Sequence, residues 1–198
     1  MRIAWIIVFM TALICSGVSP ADRMTWGLEV FPAIVGGLVL WFTRERFPLT
    51  TWVYALILIH CIILMVGGHY TYAEVPIGDW MRDVFDGSRN NYDKLGHFAQ
   101  GFVPVMIARE VVIRRNVFNS AGWRNFFIVS FCLGFSAFYE LIEWWVALIS
   151  DEAADSFLGT QGYIWDTQSD MGLALLGAIV ALLLLSKIHD KQLSELHA

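Results

Sequence analysis

The chain has 198 residues, of which 57% are hydrophobic and 16% are charged, and its formal net charge at pH 7 is −5. Soluble domains average about 45–50% apolar and about 25% charged residues, so this composition excludes an ordinary soluble domain, and the acidic balance gives no indication of a nucleic-acid partner. The excess of apolar residues predicts a multi-pass membrane protein, because each helix that crosses a bilayer needs about 20 mostly apolar residues.

Six apolar runs follow one another along the chain. The backbone has no water to bond in lipid, so we predict that each run is a helix and that the chain is one all-α membrane domain over residues 1–198. The spans are expected at roughly 3–18, 26–42, 52–69, 95–113, 126–149 and 171–188.

The first apolar run has a second interpretation. "MRIAWIIVFMTALICSGVSPA" combines one basic residue, an apolar stretch and small residues, which is also the pattern of a cleavable signal peptide. We favour a retained helix, and the orientation of the later spans is the same in either case.

The distribution of Lys and Arg predicts the orientation. The tails and loops on one side hold eight of these residues and those on the other side hold four, so the first side is expected to be cytoplasmic, with both termini. The loops over residues 70–94 and 150–170 then face outward. In the first of them "DWMRDVF" combines apolar and charged faces and predicts a short helix at the membrane interface.

Ionisable side chains accumulate at the outer ends of three predicted spans. "NNYDKLGHFAQGF" opens the fourth span, "FYELIEWW" lies in the outer half of the fifth and "WDTQSDMG" leads into the sixth. Ionised groups facing hydrocarbon cost several kcal/mol each, so we expect these side chains to meet in a shared polar site. The residues are Asp93, Lys94, His97, Glu140, Glu143, Asp166 and Asp170, with His69 at the same level.

Carboxylates together with an imidazole are the ligands of a divalent cation such as Mg²⁺, Mn²⁺ or Zn²⁺. A bound metal could activate water or hold a phosphate, and the sequence shows no Ser or Cys nucleophile motif. A purely structural polar network remains the alternative. The expected metal ligands are His97, Glu140, Glu143 and Asp170, and the expected catalytic groups are Lys94, for an anionic head group, and Asp93 or Asp166 as general base.

Polar residues near the cytoplasmic end receive simpler interpretations. Arg109 is expected to extend to the inner surface, and Glu110 to pair with a basic neighbour. His189 is expected to be solvated in the cytoplasmic tail.

The three polar motifs resemble those of a known family. "YDKLGHFAQGFVP", "FYELIEWW" and "WDTQSDM" are similar to segments of YjdF-like bacterial inner-membrane proteins, over nearly the whole chain. The resemblance implies a location in the bacterial cytoplasmic membrane but no reaction.

A second likeness is to VanZ-like membrane proteins, and it implies a role in the cell envelope. The chain departs from that pattern in Glu143 and in its acidic outer loops. The matching positions are Asp93, Lys94, His97, Phe98, Glu140 and Asp166 or Asp170.

Three functions are compatible with these observations. The first is a metal-dependent hydrolase or transferase that acts on a lipid or lipid-linked envelope substrate. The second is an ion- or proton-coupled transporter that uses the same carboxylates, and the third is a non-catalytic membrane scaffold. Because the expected cluster is confined to one leaflet, we favour the first, with membrane lipids and such a substrate as partners.

Overall fold

The computed structural model describes residues 3–149 and 164–196, and the regular structure in these ranges is helical. A 3-10 turn over Tyr72–Glu74 accompanies the α-helices. The helices are α1 Ile3–Gly17, α2 Arg23–Thr43, α3 Thr51–Tyr70, α4 Pro76–Val84, α5 Tyr92–Arg114, α6 Ala121–Ile149 and α7 Asp166–Leu196.

Each of the six predicted spans coincides with one long helix, so the all-α prediction is confirmed. Four of these helices, α2, α3, α6 and α7, are long and apolar enough to cross a membrane. The other two are α1, which is apolar but has 15 residues, and α5, which carries several charged residues. An even number of crossings, four or six, returns the chain to its starting side, in agreement with termini on one face. Most of the predicted outer loop over residues 150–170 lies outside the described ranges.

The chain forms two compact units. The first unit contains α1, α2, α4, most of α3, the first residues of α5 and the last residues of α6. The second contains α7, the remainder of α5 and α6, and the beginning of α3.

In the first unit, hydrogen bonds join the ends of three helices. The Trp26 indole N–H donates to the Ser16 hydroxyl at 3.1 Å, and the His69 ring Nδ1 lies 2.8 Å from the Ser16 carbonyl oxygen. The Ala21 amide donates to the His69 carbonyl at 2.9 Å. The structure therefore places His69 at the junction of α1, α2 and α3.

In the second unit, α5 and α7 pack with their backbones in close approach. A Cβ atom added at Gly101 would lie 2.5 Å from the Ala174 carbonyl carbon, and one added at Gly177 would lie 3.0 Å from the Phe102 amide nitrogen. Glycine allows transmembrane helices to approach this closely, since a side chain would force the backbones apart. This contact fixes the register in which α5 and α7 present their polar residues.

Candidate functional site

Three helices of the second unit bring an imidazole and two carboxylates together. His97 of α5 has its ring Nδ1 3.7 Å from Glu140 Oε1 of α6 and its Nε2 3.8 Å from Asp170 Oδ2 of α7. All three side chains are more than nine-tenths buried. The sequence prediction that these residues converge is therefore fulfilled for this trio, which we call the outer cluster.

The helix that carries His97 also carries Asp93, one turn earlier. Asp93, His97 and Asp170 each offer one ligand atom, and these atoms lie within 4.8 Å of one another. Two ligand atoms at about 2.1 Å from a shared ion can be at most about 4.2 Å apart, so small side-chain adjustments would close this group on a cation. The assignment of Asp93 or Asp166 as general base stays a prediction, and the structure adds Asp93 to the possible metal ligands.

A glutamine on the same helix orients the imidazole. The His97 Nδ1 lies 3.2 Å from the Gln100 side-chain oxygen, which can only accept a hydrogen bond. The Gln100 oxygen accepts from His97 only in the tautomer that carries its proton on Nδ1, and in that tautomer the lone pair of Nε2 faces Asp170. A lone pair and a carboxylate repel unless a proton or a cation lies between them, so the arrangement suits a metal ion.

The separations in the outer cluster exceed ordinary hydrogen-bond lengths of about 2.7–3.2 Å. They remain below the separation of about 4.2 Å that two atoms ligating one ion can have. A doubly protonated His97 between Glu140 and Asp170 is the structural alternative, because an imidazolium would offset part of the negative charge without a metal.

The remaining predicted site residues lie at the starts of α5 and α7 and on α6. The Lys94 ammonium is 3.7 Å from Asp93 Oδ2, with both side chains largely covered. Asp166, the first residue of α7, is buried one turn before Asp170. Glu143 follows Glu140 by three residues and is half-buried, and its role as a ligand stays a prediction.

A second polar cluster lies at the opposite ends of α5 and α7, and we call it the inner cluster. Its centre is Glu110, whose carboxylate is fully buried. This carboxylate accepts hydrogen bonds from the Thr50 amide at 2.9 Å, the Thr50 hydroxyl at 2.7 Å and the Arg114 guanidinium at 2.9 Å. It also lies 3.0 Å from His189 Nε2. The prediction that Glu110 pairs with a basic residue is confirmed.

The predictions for Arg109 and His189 are wrong, because both side chains are almost completely buried. Arg109 Nη1 lies 2.8 Å from His189 Nδ1, and its Nη2 donates to Asp190 Oδ1 at 2.6 Å. Helix α7 continues to Leu196, two turns past the expected end of the span, and this extension packs His189 against α5. The sequence signal for this burial is a pair of adjacent ionisable residues toward the end of each helix, Arg109–Glu110 on α5 and His189–Asp190 on α7.

The two clusters differ in chemical character. The contacts of the inner cluster are direct, between 2.6 and 3.1 Å, and they match each carboxylate oxygen of Glu110 with donors. Such a network ties helices together. The outer cluster joins carboxylates to one imidazole at 3.7 and 3.8 Å, and these are donor types that divalent cations accept.

Comparisons with known proteins agree with this architecture. A family described as "Predicted membrane protein (DUF2238)" matches residues 1–191. The "Inner membrane protein YjdF" of Escherichia coli (strain K12) is 50% identical over 181 residues, which cover 91% of this chain and 87% of that protein. No solved structure matches the chain. The resemblance to YjdF-like proteins is confirmed, and the resemblance to VanZ-like proteins stays a prediction.

Proposed function

The chain belongs to the DUF2238 family of predicted membrane proteins, and from this premise we propose that it is a metal-dependent enzyme acting on a lipid or lipid-linked substrate at the periplasmic face. It is a multi-pass protein of the bacterial inner membrane. The observation that carries the proposal is the group of ligand atoms offered by Asp93, His97 and Asp170.

The donor set fits a divalent cation. Two carboxylate oxygens and one imidazole nitrogen suit Mn²⁺ or Zn²⁺, and Mg²⁺ with added water ligands. In this arrangement Asp93, His97 Nε2 and Asp170 would hold the ion, which would polarise a substrate oxygen and make a bound water acidic. Glu140 approaches the opposite ring nitrogen of His97, where a carboxylate raises the basicity of the imidazole.

The depth of the site supports a lipid substrate. Asp93 is the second residue of α5 and Asp170 is the fifth residue of α7, so both lie within about one or two turns of the helix ends. The phosphate and ester groups of lipids occupy this boundary between water and hydrocarbon. Lys94 carries a positive charge beside Asp93, where it would attract an anionic head group. Asp166, one turn before Asp170, is our candidate for the base that takes a proton from water.

The separation of the two clusters favours an enzyme over a transporter. Asp170 and His189 are 19 residues apart on α7, which corresponds to about 28 Å along a helix. Between these positions α5 and α7 meet at Gly101 and Gly177, where their backbones are in close contact. A proton or ion relay between the clusters would have to open this contact.

Metal analysis tests the proposal. Wild-type protein purified with Mn²⁺ or Zn²⁺ should retain metal after desalting, and a chelator should lower its unfolding temperature. Asp170→Asn should lose the bound metal while remaining folded. Asp83→Asn is the matched control, because the Asp83 side chain is mostly exposed outside the cluster.

Activity should follow metal occupancy. In vesicles of extracted bacterial lipids, the metal-loaded wild type should release phosphate or turn one lipid species into another, and Asp170→Asn should do neither. Wild-type protein that binds no divalent metal, and whose unfolding temperature is unaffected by chelator, would refute the proposal. Metal binding combined with proton-coupled flux, and with no lipid turnover, would identify a transporter instead.

A further inference from the structure

Helix α4 exposes one continuous apolar face. Ile77, Trp80, Met81 and Val84 occupy positions i, i+3, i+4 and i+7, which share one side of a helix, and each side chain is about half exposed. Phe85, directly after the helix, is still more exposed. A helix of nine residues with so strong a separation of faces is typical of a membrane interface.

The opposite face of α4 is held by the protein. The Asn90 side-chain amide donates to the Val75 carbonyl at 2.9 Å and to Asp79 Oδ1 at 3.1 Å. A Cβ atom at Gly78 would lie 2.6 Å from the Asn90 side-chain carbon, so the two are in close contact. These contacts fix the rotation of α4 about its axis, and its apolar face therefore cannot turn inward.

The same asparagine connects α4 to helices that enter the membrane. The Asn90 side-chain oxygen accepts a hydrogen bond from the Tyr92 amide, at the first residue of α5, at 3.0 Å. The Tyr92 hydroxyl in turn donates to the Ile63 carbonyl of α3 at 3.1 Å. Since Asn90 ties α4 to the first residue of α5, α4 lies beside the end at which α5 begins.

We propose that α4 lies in the periplasmic interface of the membrane, with its apolar face inserted at the boundary between head groups and acyl chains. Two observations favour lipid over a protein partner. Arg82 forms ion pairs with Asp79 and Asp83 at 2.9 Å, so the one basic side chain of α4 is already paired within the helix and is not available to an acidic protein surface. These five apolar side chains also fall short of the roughly 800 Å² per partner that a stable protein interface buries.

The placement of α4 also sets the depth at which α5 begins. Anchoring α4 in the interface holds Asn90 and Tyr92 at head-group depth. The residues that follow on α5, beginning with Asp93, are then presented at the level of lipid phosphates and esters. This inference stands independently of whether the outer cluster binds a metal.

Spin-label accessibility in vesicles of phosphatidylethanolamine and phosphatidylglycerol tests the proposal. A nitroxide is attached at Trp80→Cys, at Val84→Cys and, on the polar face, at Asp83→Cys. A label at Ile59→Cys, half-exposed in the middle of α3, gives the value for lipid-facing positions. The background replaces the three native cysteines, Cys15, Cys61 and Cys132.

Labels at positions 80 and 84 should be relaxed more by oxygen than by a water-soluble nickel complex, as at position 59, and the order should reverse at position 83. Equal exposure of all three to the nickel complex would overturn the proposal. Protection of positions 80 and 84 from both reagents would also overturn it, because it would indicate a protein partner or a second copy. If the cysteine-free background unfolds, replacement of the exposed Cys15 alone suffices, since Cys61 and Cys132 are buried.

Discussion

Replacing Gly101 by Ala should separate α5 from α7 and disturb the outer cluster. The new methyl group would lie 2.5 Å from the Ala174 carbonyl carbon and 2.8 Å from the Ala174 Cα, whereas ordinary contacts begin at 3.4 Å. The Ala174 carbonyl oxygen lies nearer still, so these backbone atoms must move apart by at least about 0.9 Å. Overpacking of this kind costs about 1–3 kcal/mol of stability.

The same displacement should weaken metal binding, because ligand positions in metal sites tolerate only about ±0.2 Å. Gln100 adjoins the substituted residue on α5, and Asp170 lies one turn before Ala174 on α7, so the shift reaches both sides of the site. The expected result is a lower unfolding temperature together with a reduced affinity for Mn²⁺ or Zn²⁺.

Gly172→Ala provides the control on α7. Nothing lies within 4 Å of an added Cβ at Gly172, so this change should be neutral or should stabilise the helix by up to about 1 kcal/mol. Thermal unfolding and metal titration are measured for both variants in the same detergent. If Gly101→Ala matches Gly172→Ala in both measurements, the close packing of α5 and α7 does not position the site and the reasoning fails.

Three further predictions concern single side chains. Glu110→Gln should lower the free energy of unfolding by about 3–5 kcal/mol, because it leaves buried cationic donors without their carboxylate. The control, Glu195→Gln at the exposed end of α7, should change the free energy of unfolding by less than about 0.5 kcal/mol. Equal effects of the two substitutions in a denaturant titration would contradict this prediction. Gln100→Leu should weaken metal binding by about 10- to 100-fold with little change in unfolding temperature, and unchanged affinity in a metal titration would show that Gln100 does not orient His97. Asp22→Ala should cost about 1 kcal/mol at neutral pH, since Asp22 caps α2 by accepting from the Thr25 amide at 2.6 Å. The Thr25 hydrogen bonds lower the pKa of Asp22 below 3.8, so this stabilisation is present above pH 3.8 and is lost as the pH falls through the lowered pKa. A difference in unfolding temperature between wild type and Asp22→Ala that persists in strong acid would contradict the assignment.

The helices could be predicted from the sequence because lipid restricts the backbone to very few structures. Each long apolar run had to be a helix, and the expected boundaries agree with the observed ones within a few residues at most ends. The main exception is α7, which extends eight residues past the expected limit at 188. Its last turns are polar, so hydropathy alone ends the span too early.

The site was only partly predictable, for a physical reason. The cost of burying charge indicates that His97, Glu140 and Asp170 must find partners, and the structure unites them. The same cost does not specify which atoms face one another, because that depends on helix rotation and on the close contact at Gly101. For this reason the sequence identified the members of the outer cluster but did not assign Asp93 to the ligand group.

Helix α5 shows how one chain segment can hold ionisable groups at both ends and still lie in a membrane. Its charged residues are confined to its first turns and its last turns, with the apolar stretch from Gly101 to Ala108 between them. At each end α7 supplies the complementary groups, Asp170 beside His97 and His189 beside Glu110. The direct hydrogen bonds of the inner end, between 2.6 and 3.1 Å, hold the two helices together there, whereas the His97 ring at the outer end lies 3.7 and 3.8 Å from Glu140 and Asp170. For this reason we propose the ion site at the outer end, because the Glu110 carboxylate at the inner end already accepts hydrogen bonds at both of its oxygens.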